Sequence, residues 1–181
     1  EIYQCDWSSD VCSSDLANAY TPANSLLTSG TSQTITSATS VNFTGIPSWV
    51  KRITLSISGF NTNGSSPYQM QLGTAGGFIT TGYLCGGVYS GSSTSGGNIT
   101  SGLLLNGNAN DVNTTIHGHA ILINITGNTW VQNFVFGQSD SAHAVYGGGS
   151  ITLSGQLTQL RVTTVNGTDT IRAGTLNILY E

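Results

Sequence analysis

Charge is what this chain has least of. Of its 181 residues 7% are charged, four Lys and Arg against eight Asp and Glu. Four bases exclude the clustered positive face that tracks phosphates, so nucleic acid is not an expected partner. Proline and cysteine are scarce at 3 residues each, and methionine occurs once. No apolar run approaches the about 20 residues that span a bilayer, so membrane insertion is not expected. No ten-residue segment carries a helical apolar stripe. Few acids and 3 His leave little material for acid–base chemistry, and no cofactor is expected. What fills the chain instead is 24 Gly together with Ser, Thr and Asn, which suit turns and solvated strand faces. The length points to a single domain with a real core.

Residues 1–16, EIYQCDWSSDVCSSDL, read differently from the rest. They hold four acids (Glu1, Asp6, Asp10, Asp15) and two cysteines (Cys5, Cys12), with no period of 2 or 3.6. A basic start and an apolar core, the marks of a signal peptide, are missing. Asp6–Leu16 resembles the in-frame translation of a sequencing adapter. Residues 1–16 are therefore expected to be an adapter-derived artefact outside the fold; the alternative is a short secreted Cys-containing tail. Without them, Asp111, Asp140, Asp169 and Glu181 balance Lys51, Arg52, Arg161 and Arg172, and Cys85 has no disulfide partner. The natural start is then expected upstream of this chain, and the natural end at Glu181.

Residues 17–40 are Ser/Thr-rich and read as a linker entering a first short strand near Gln33–Thr36. From Val41 to Glu181 the period is 2. Ile53, Leu55 and Ile57 alternate with hydroxyls, and Tyr68, Met70 and Leu72 repeat the pattern, as do Ile121, Ile123 and Ile125. Val131–Phe136, Ile151–Leu153, Leu160–Val165 and Ile171–Tyr180 are further strands. Turn residues separate them. Thr126-Gly127-Asn128 predicts a hairpin between 115–125 and 129–137, and Asn166-Gly167-Thr168-Asp169 predicts another between 158–165 and 170–180. Gly91–Gly97 reads as a flexible loop. Many short strands without helices predict an all-β antiparallel sandwich.

Phe43–Gly59 (FTGIPSWVKRITLSISG), Asn61–Gly64, Gln69–Gly73, Ile123–Val131 (INITGNTWV) and Gly155–Glu181 together resemble a C-terminal domain of bacteriophage tail-fibre and other virion structural proteins. The resemblance covers about residues 40–181. It implies a jelly-roll-like sandwich serving as a trimeric fibre head, located on the virion and in contact with other virion proteins. It implies a non-enzymatic attachment role, binding a host surface glycan or receptor. Alternatives are a capsid decoration or head-fibre domain, and a secreted bacterial carbohydrate-binding or adhesin module. Its motifs specify a scaffold rather than a ligand.

Several residues are candidates for chemistry. His117 and His119 are two apart, which on a strand places both imidazoles on one side, a spacing that suits a metal. The competing reading puts them at the core rim beside Ile121, with Gly118 as a bulge. Trp49 beside Lys51 and Arg52, and Tyr68, Tyr83, Tyr89 and Tyr146 near Gly-rich loops, are candidate sugar-binding aromatics. The loops 61–67, 90–98, 106–113 and 138–149 form the candidate receptor surface. Asp111 and Asp140 lie on loops that could converge, the minimum a glycosidase needs. Asp169 reads as a turn cap and Cys85 as a small buried residue.

Overall fold

The computed structural model describes residues 27–91, 93–107 and 111–181. The expectations for residues 1–16 and for 17–26 of the linker fall outside that range. The described residues form two antiparallel sheets and no helix, so none among them is long and apolar enough to cross a membrane.

The larger sheet has nine strands. They are β1 (Thr28–Ser29), β2 (Gln33–Thr34), β4 (Arg52–Thr62), β7 (Leu84–Ser90), β8 (Thr94–Gly97), β10 (Ile116–Thr126), β11 (Thr129–Gln138), β12 (His143–Thr152) and β14 (Ile171–Tyr180). Their order is β1-β14-β4-β10-β11-β12-β7-β8, with β2 also paired to β14. The smaller sheet has β3 (Ser40–Thr44), β5 (Tyr68–Thr74), β6 (Gly77–Phe78), β9 (Leu103–Leu104) and β13 (Gln159–Thr164). It runs β3-β13-β5-β6, with β9 on β5.

The core lies between the sheets, and the period of 2 explains it. Ile53, Leu55 and Ile57 of β4, Ala120 and Leu122 of β10, Phe134 and Phe136 of β11 and Leu176 and Ile178 of β14 are buried from the large sheet. Val41, Phe43, Met70, Leu72, Leu160 and Val162 meet them from the small one. Residues at alternate positions point outward, as a half-solvated antiparallel sheet requires. Between β12 and β7 the large sheet has almost no side chains: Gly147 pairs with Gly87 and Gly148 with Gly86. A Cβ on Gly87 would sit 2.8 Å from Phe134 Cζ, and one on Gly147 would sit 2.7 Å from Phe134 Cε1 and overlap the Gly86 carbonyl. The Phe134 ring needs that bare strip to lie against the sheet.

The first predicted hairpin is present. β10 and β11 pair from Ile116↔Gln138 to Thr126↔Thr129, and Gly127 at the turn has φ +52°. The second is not a hairpin. β13 pairs with β3 and β5 in the small sheet, whereas β14 pairs with β4, β1 and β2 in the large one. Asn166-Gly167-Thr168-Asp169 instead carries the chain across the core edge. The reason is burial: Leu160 and Val162 fill the core from one side, and Ile171, Leu176 and Ile178 from the other. An Asn-Gly pair supplies the reversal but not the sheet in which the next strand lands.

The crossing turn is fixed by side chains. Asn166 Oδ1 accepts the Thr168 and Asp169 N–H groups, and Asp169 Oδ2 accepts the Ser66 N–H at 3.1 Å. Asn166 Nδ2 donates to Asp169 Oδ1 at 2.6 Å. Asp169 thus ties this turn to the β4–β5 connection. Asp169→Ala is expected to cost about 1–2 kcal/mol, the range for exposed bonds to a charged acceptor, read as a lower urea midpoint at constant slope.

Three further readings change. The Gly91–Gly97 stretch is not wholly a loop: Thr94–Gly97 is β8 and pairs with β7. The sheet begins inside the expected linker, because Thr28 and Ser29 pair with Tyr180 and Leu179. The apolar odd positions of β10 face outward, with Ile123 43% and Ile125 61% exposed, while Ile116, Ala120 and Leu122 are buried.

Candidate functional site

The strand ladder gives the sandwich two distinct ends. At one end Thr28 pairs with Tyr180, and Arg52 N–H and Lys51 N–H both donate to the Glu181 carbonyl. The Arg52–Glu181 ion pair, 2.9 Å, closes that end. The opposite end is set by Ile116↔Gln138, Gln138↔His143 and Ala144↔Ser90. Ten residues of extended strand separate the two, about 30 Å.

At this second end an open cleft of about 260 Å³ forms between the β7–β8 connection, the 111–115 loop and the β11–β12 turn. Tyr89, half-buried at the end of β7, supplies an aromatic wall. His143 meets it edge-on, with ring centroids 5.2 Å apart and planes at 78°. Asp111, Asn113, Gln138 and Asp140 supply planar polar groups around the ring. The carboxylates hold the loops as well: Asp111 Oδ1 accepts the Asn113 N–H at 2.7 Å, and Asp140 Oδ1 accepts the Thr115 N–H at 2.9 Å.

One polar atom here lacks a partner among the described residues. His143 Nδ1 is 2.7 Å from Ser141 Oγ, but Nε2 is buried without a partner. Buried polar groups are normally paired, so this nitrogen marks a place where something else supplies a donor or acceptor.

No family model, curated protein or solved structure matches this chain.

The sequence-predicted residues are scattered over this frame. Only Tyr89 reaches the cleft; Asp111 and Asp140 do converge there. Tyr68 and Tyr83 cannot meet a ligand, because both are 0% exposed. Tyr68 Oη donates to the Thr114 carbonyl, while Tyr83 Oη accepts the Leu72 N–H at 2.8 Å and donates to the Ile79 carbonyl. Tyr68 alternates with Met70 and Leu72 on β5, the apolar signal of a core strand, and a Gly-rich neighbourhood does not override it; Tyr83 precedes β7 and carries no such signal. Trp49 is 51% exposed but sits at the far end, tilted against Tyr180 at 5.8 Å. Tyr146 is 49% exposed on the outer face of the large sheet, opposite Val135 and Val88.

His117 and His119 do not form a free ligand pair. His117 Nδ1 accepts the Gly59 N–H at 3.1 Å, so its proton sits on Nε2, which is 3.1 Å from Ser139 Oγ. A neutral imidazole used in this way has no lone pair left for a metal. His119 stands on the outer face between Ser56 and Val135. Among the described residues no group of three or more His, Cys, Asp or Glu side chains is placed to hold a metal ion. The pair missed in the sequence was Gln138 with His143, which bracket one turn at the cleft, His143 with its Nε2 buried.

The outer face of the large sheet has its own character. Leu84 (72% exposed), Val135 and Ile123 lie on it with Tyr146. None of β7, β10, β11 and β12 carries Asp, Glu, Lys or Arg.

Proposed function

We propose that this chain is a non-enzymatic attachment domain of a phage virion, a jelly-roll-like fibre head that assembles as a homotrimer and binds a host surface glycan through the Tyr89 cleft. The observation that carries the reading is position. The cleft lies at the end of the sandwich opposite the Thr28–Tyr180 pair. A particle attached on the side of that pair leaves the cleft pointing outward.

The chemistry of the cleft suits a neutral sugar. An aromatic face takes the C–H side of a pyranose ring, and planar amides and carboxylates take vicinal hydroxyls. The buried His143 Nε2 gains a partner from such a hydroxyl. At about 260 Å³ the cleft fits one or two sugar rings rather than a folded peptide. The uncharged outer face of β7, β10, β11 and β12 supports self-association. Exposed side chains such as Leu84 and Val135 favour removal from water, and a second uncharged copy meets them without burying a charge.

The test is binding of the purified chain to an array of bacterial surface glycans, with light scattering on the same sample. The expected result is three copies per particle and selective glycan binding, lost at least tenfold in Tyr89→Ala with the fold intact. Equal binding by Tyr89→Ala, or no glycan bound, overturns the cleft; a monomer overturns the trimer. Turnover of a bound glycan that stops in Asp140→Asn would replace attachment with hydrolysis, since Asp111 and Asp140 share the cleft.

A further inference from the structure

The outer face of the small sheet holds a second feature, on different strands from the Tyr89 cleft. Arg161 points outward from β13, in register with Asn42 of β3 and Gln71 of β5. Its guanidinium lies over the Phe78 ring, 4.4 Å from the centroid. Its Nε donates to Gln71 Oε1 at 2.9 Å, and Nη2 donates to the same oxygen. A guanidinium has five N–H donors, so three remain without a partner among the described residues.

No carboxylate answers this cation. Among the described residues the ion pair is Arg52–Glu181, and the cleft beside Arg161 contains no acid. That cleft, about 280 Å³, is walled by hydroxyls: Thr39, Ser40, Thr80 and Thr163. Its floor is rigid. Gln71 is 3% exposed and Gln69 2%; Gln71 Nε2 donates to the Ser101 carbonyl at 2.8 Å, and Ser101 Oγ donates to Gln69 Oε1 at 2.8 Å. The amide that orients Arg161 is therefore itself held from behind. Partial burial lowers the guanidinium pKa below its ordinary value, the mark of a cation that has lost water without gaining an anion.

We propose that Arg161 and the hydroxyls around it form a subsite for the carboxylate of an acidic sugar. The free edge of the guanidinium takes the carboxylate in a two-point contact. Thr39, Ser40, Thr80 and Thr163 line the space for ring hydroxyls, and the volume limits the occupant to about one sugar ring. One cation selects a single acidic group and gives little long-range attraction to a polyanion. The subsite shares no residue with the Tyr89 cleft, so either can fail without the other.

The experiment is an NMR titration of the full chain with glucuronate, with glucose and inorganic phosphate as parallel probes. Saturable glucuronate shifts are expected at Ser40, Thr80 and Thr163, with affinity at least tenfold weaker in Arg161→Gln at unchanged melting temperature. Glucose is expected to give no shifts there. Phosphate is expected to compete only weakly, because it brings no ring for the hydroxyls. Glucuronate binding that is equal in Arg161→Gln, or matched by glucose, or mapped away from these residues, overturns the subsite, as does phosphate binding tighter than glucuronate. If Arg161→Gln loses the fold, Arg161→Lys keeps the charge without the planar fork, and the same tenfold loss is expected from it. The shift map on the unaltered chain needs no variant.

Discussion

Phe134→Ala is expected to lower the unfolding free energy by about 3–5 kcal/mol, the range for removing a buried aromatic ring. Phe134 is 1% exposed and lies tilted against Phe136, with ring centroids 5.9 Å apart. The ring lies on the bare backbone of Gly87 and Gly147, which offer no side chain of their own to fill the gap. In a chain of this length the loss corresponds to a fall in melting temperature of roughly 10 °C. Gly147→Ala approaches the same site from the opposite side and is expected to destabilise as well, because its Cβ has no room between Phe134 and the Gly86 carbonyl. Calorimetry on both variants checks the pair. A shift of only a degree or two in each would mean that the strip is not packed as described.

Alkaline pH is expected to unfold the protein in a narrow window. Burial pushes the Tyr68 and Tyr83 phenols from 10.0 up to about 12. Below pH 10 both are protonated in the folded and unfolded chain alike, and their contribution to stability is fully present. Above pH 10 the unfolded chain releases these protons while the folded chain keeps them, so stability falls until about pH 12. Each phenol accounts for about 1.4 kcal/mol per pH unit, on the order of 5 kcal/mol for the pair across the window. Urea denaturation at a series of pH values reads this directly. Tyr68→Phe should halve the steepness; an unchanged slope would show that its phenol does not stay protonated in the folded state. Tyr83→Phe is a harsher change, since it strands the Leu72 N–H in the core.

Class, sheet and core were largely legible from alternation. Ile53, Leu55 and Ile57, and Met70 with Leu72, declared their faces because hydroxyls or amides occupied the other positions. β10 did not. Ile116-His-Gly-His-Ala-Ile-Leu-Ile has apolar residues at both parities beyond His119, and only Ala120 and Leu122 at the even ones are buried. When both faces of a strand are apolar, period 2 shows a strand but not its orientation. The Asn166-Gly167 turn failed for a different reason. Turn chemistry is local, and the choice of sheet depends on which edge still needs a partner, here β4 for β14.

The cleft was half legible. Of the expected loops, 90–98, 106–113 and 138–149 each contribute residues to the cleft, among them Tyr89's neighbour Ser93, Asp111 and Asp140, but Thr94–Gly97 and His143–Thr152 are strands and 61–67 does not reach it. Gln138 and His143 did not stand out, because an amide at the end of an alternating strand looks like an ordinary solvated residue. Its burial follows from the loop over it, and loop placement is a tertiary property. Arg161 escaped for the same reason: Arg next to Val162 on a strand reads as a plain outward cation, and Gln71, 90 positions away, is what fixes it.

The pairing of Thr28 with Tyr180 also sets how the domain bears force. A pull between Thr28, on the edge strand β1, and the Tyr89 cleft, on β7 near the other edge, runs obliquely, partly along the strands and partly across the sheet. The load falls first on β1, which β14 holds through the Thr28↔Tyr180 and Ser29↔Leu179 pairs, and then on β2, held through Thr175↔Thr34 and Leu176↔Gln33. Those short ladders part before the long β14–β4 ladder is strained, so the β1 edge yields ahead of the central sheet.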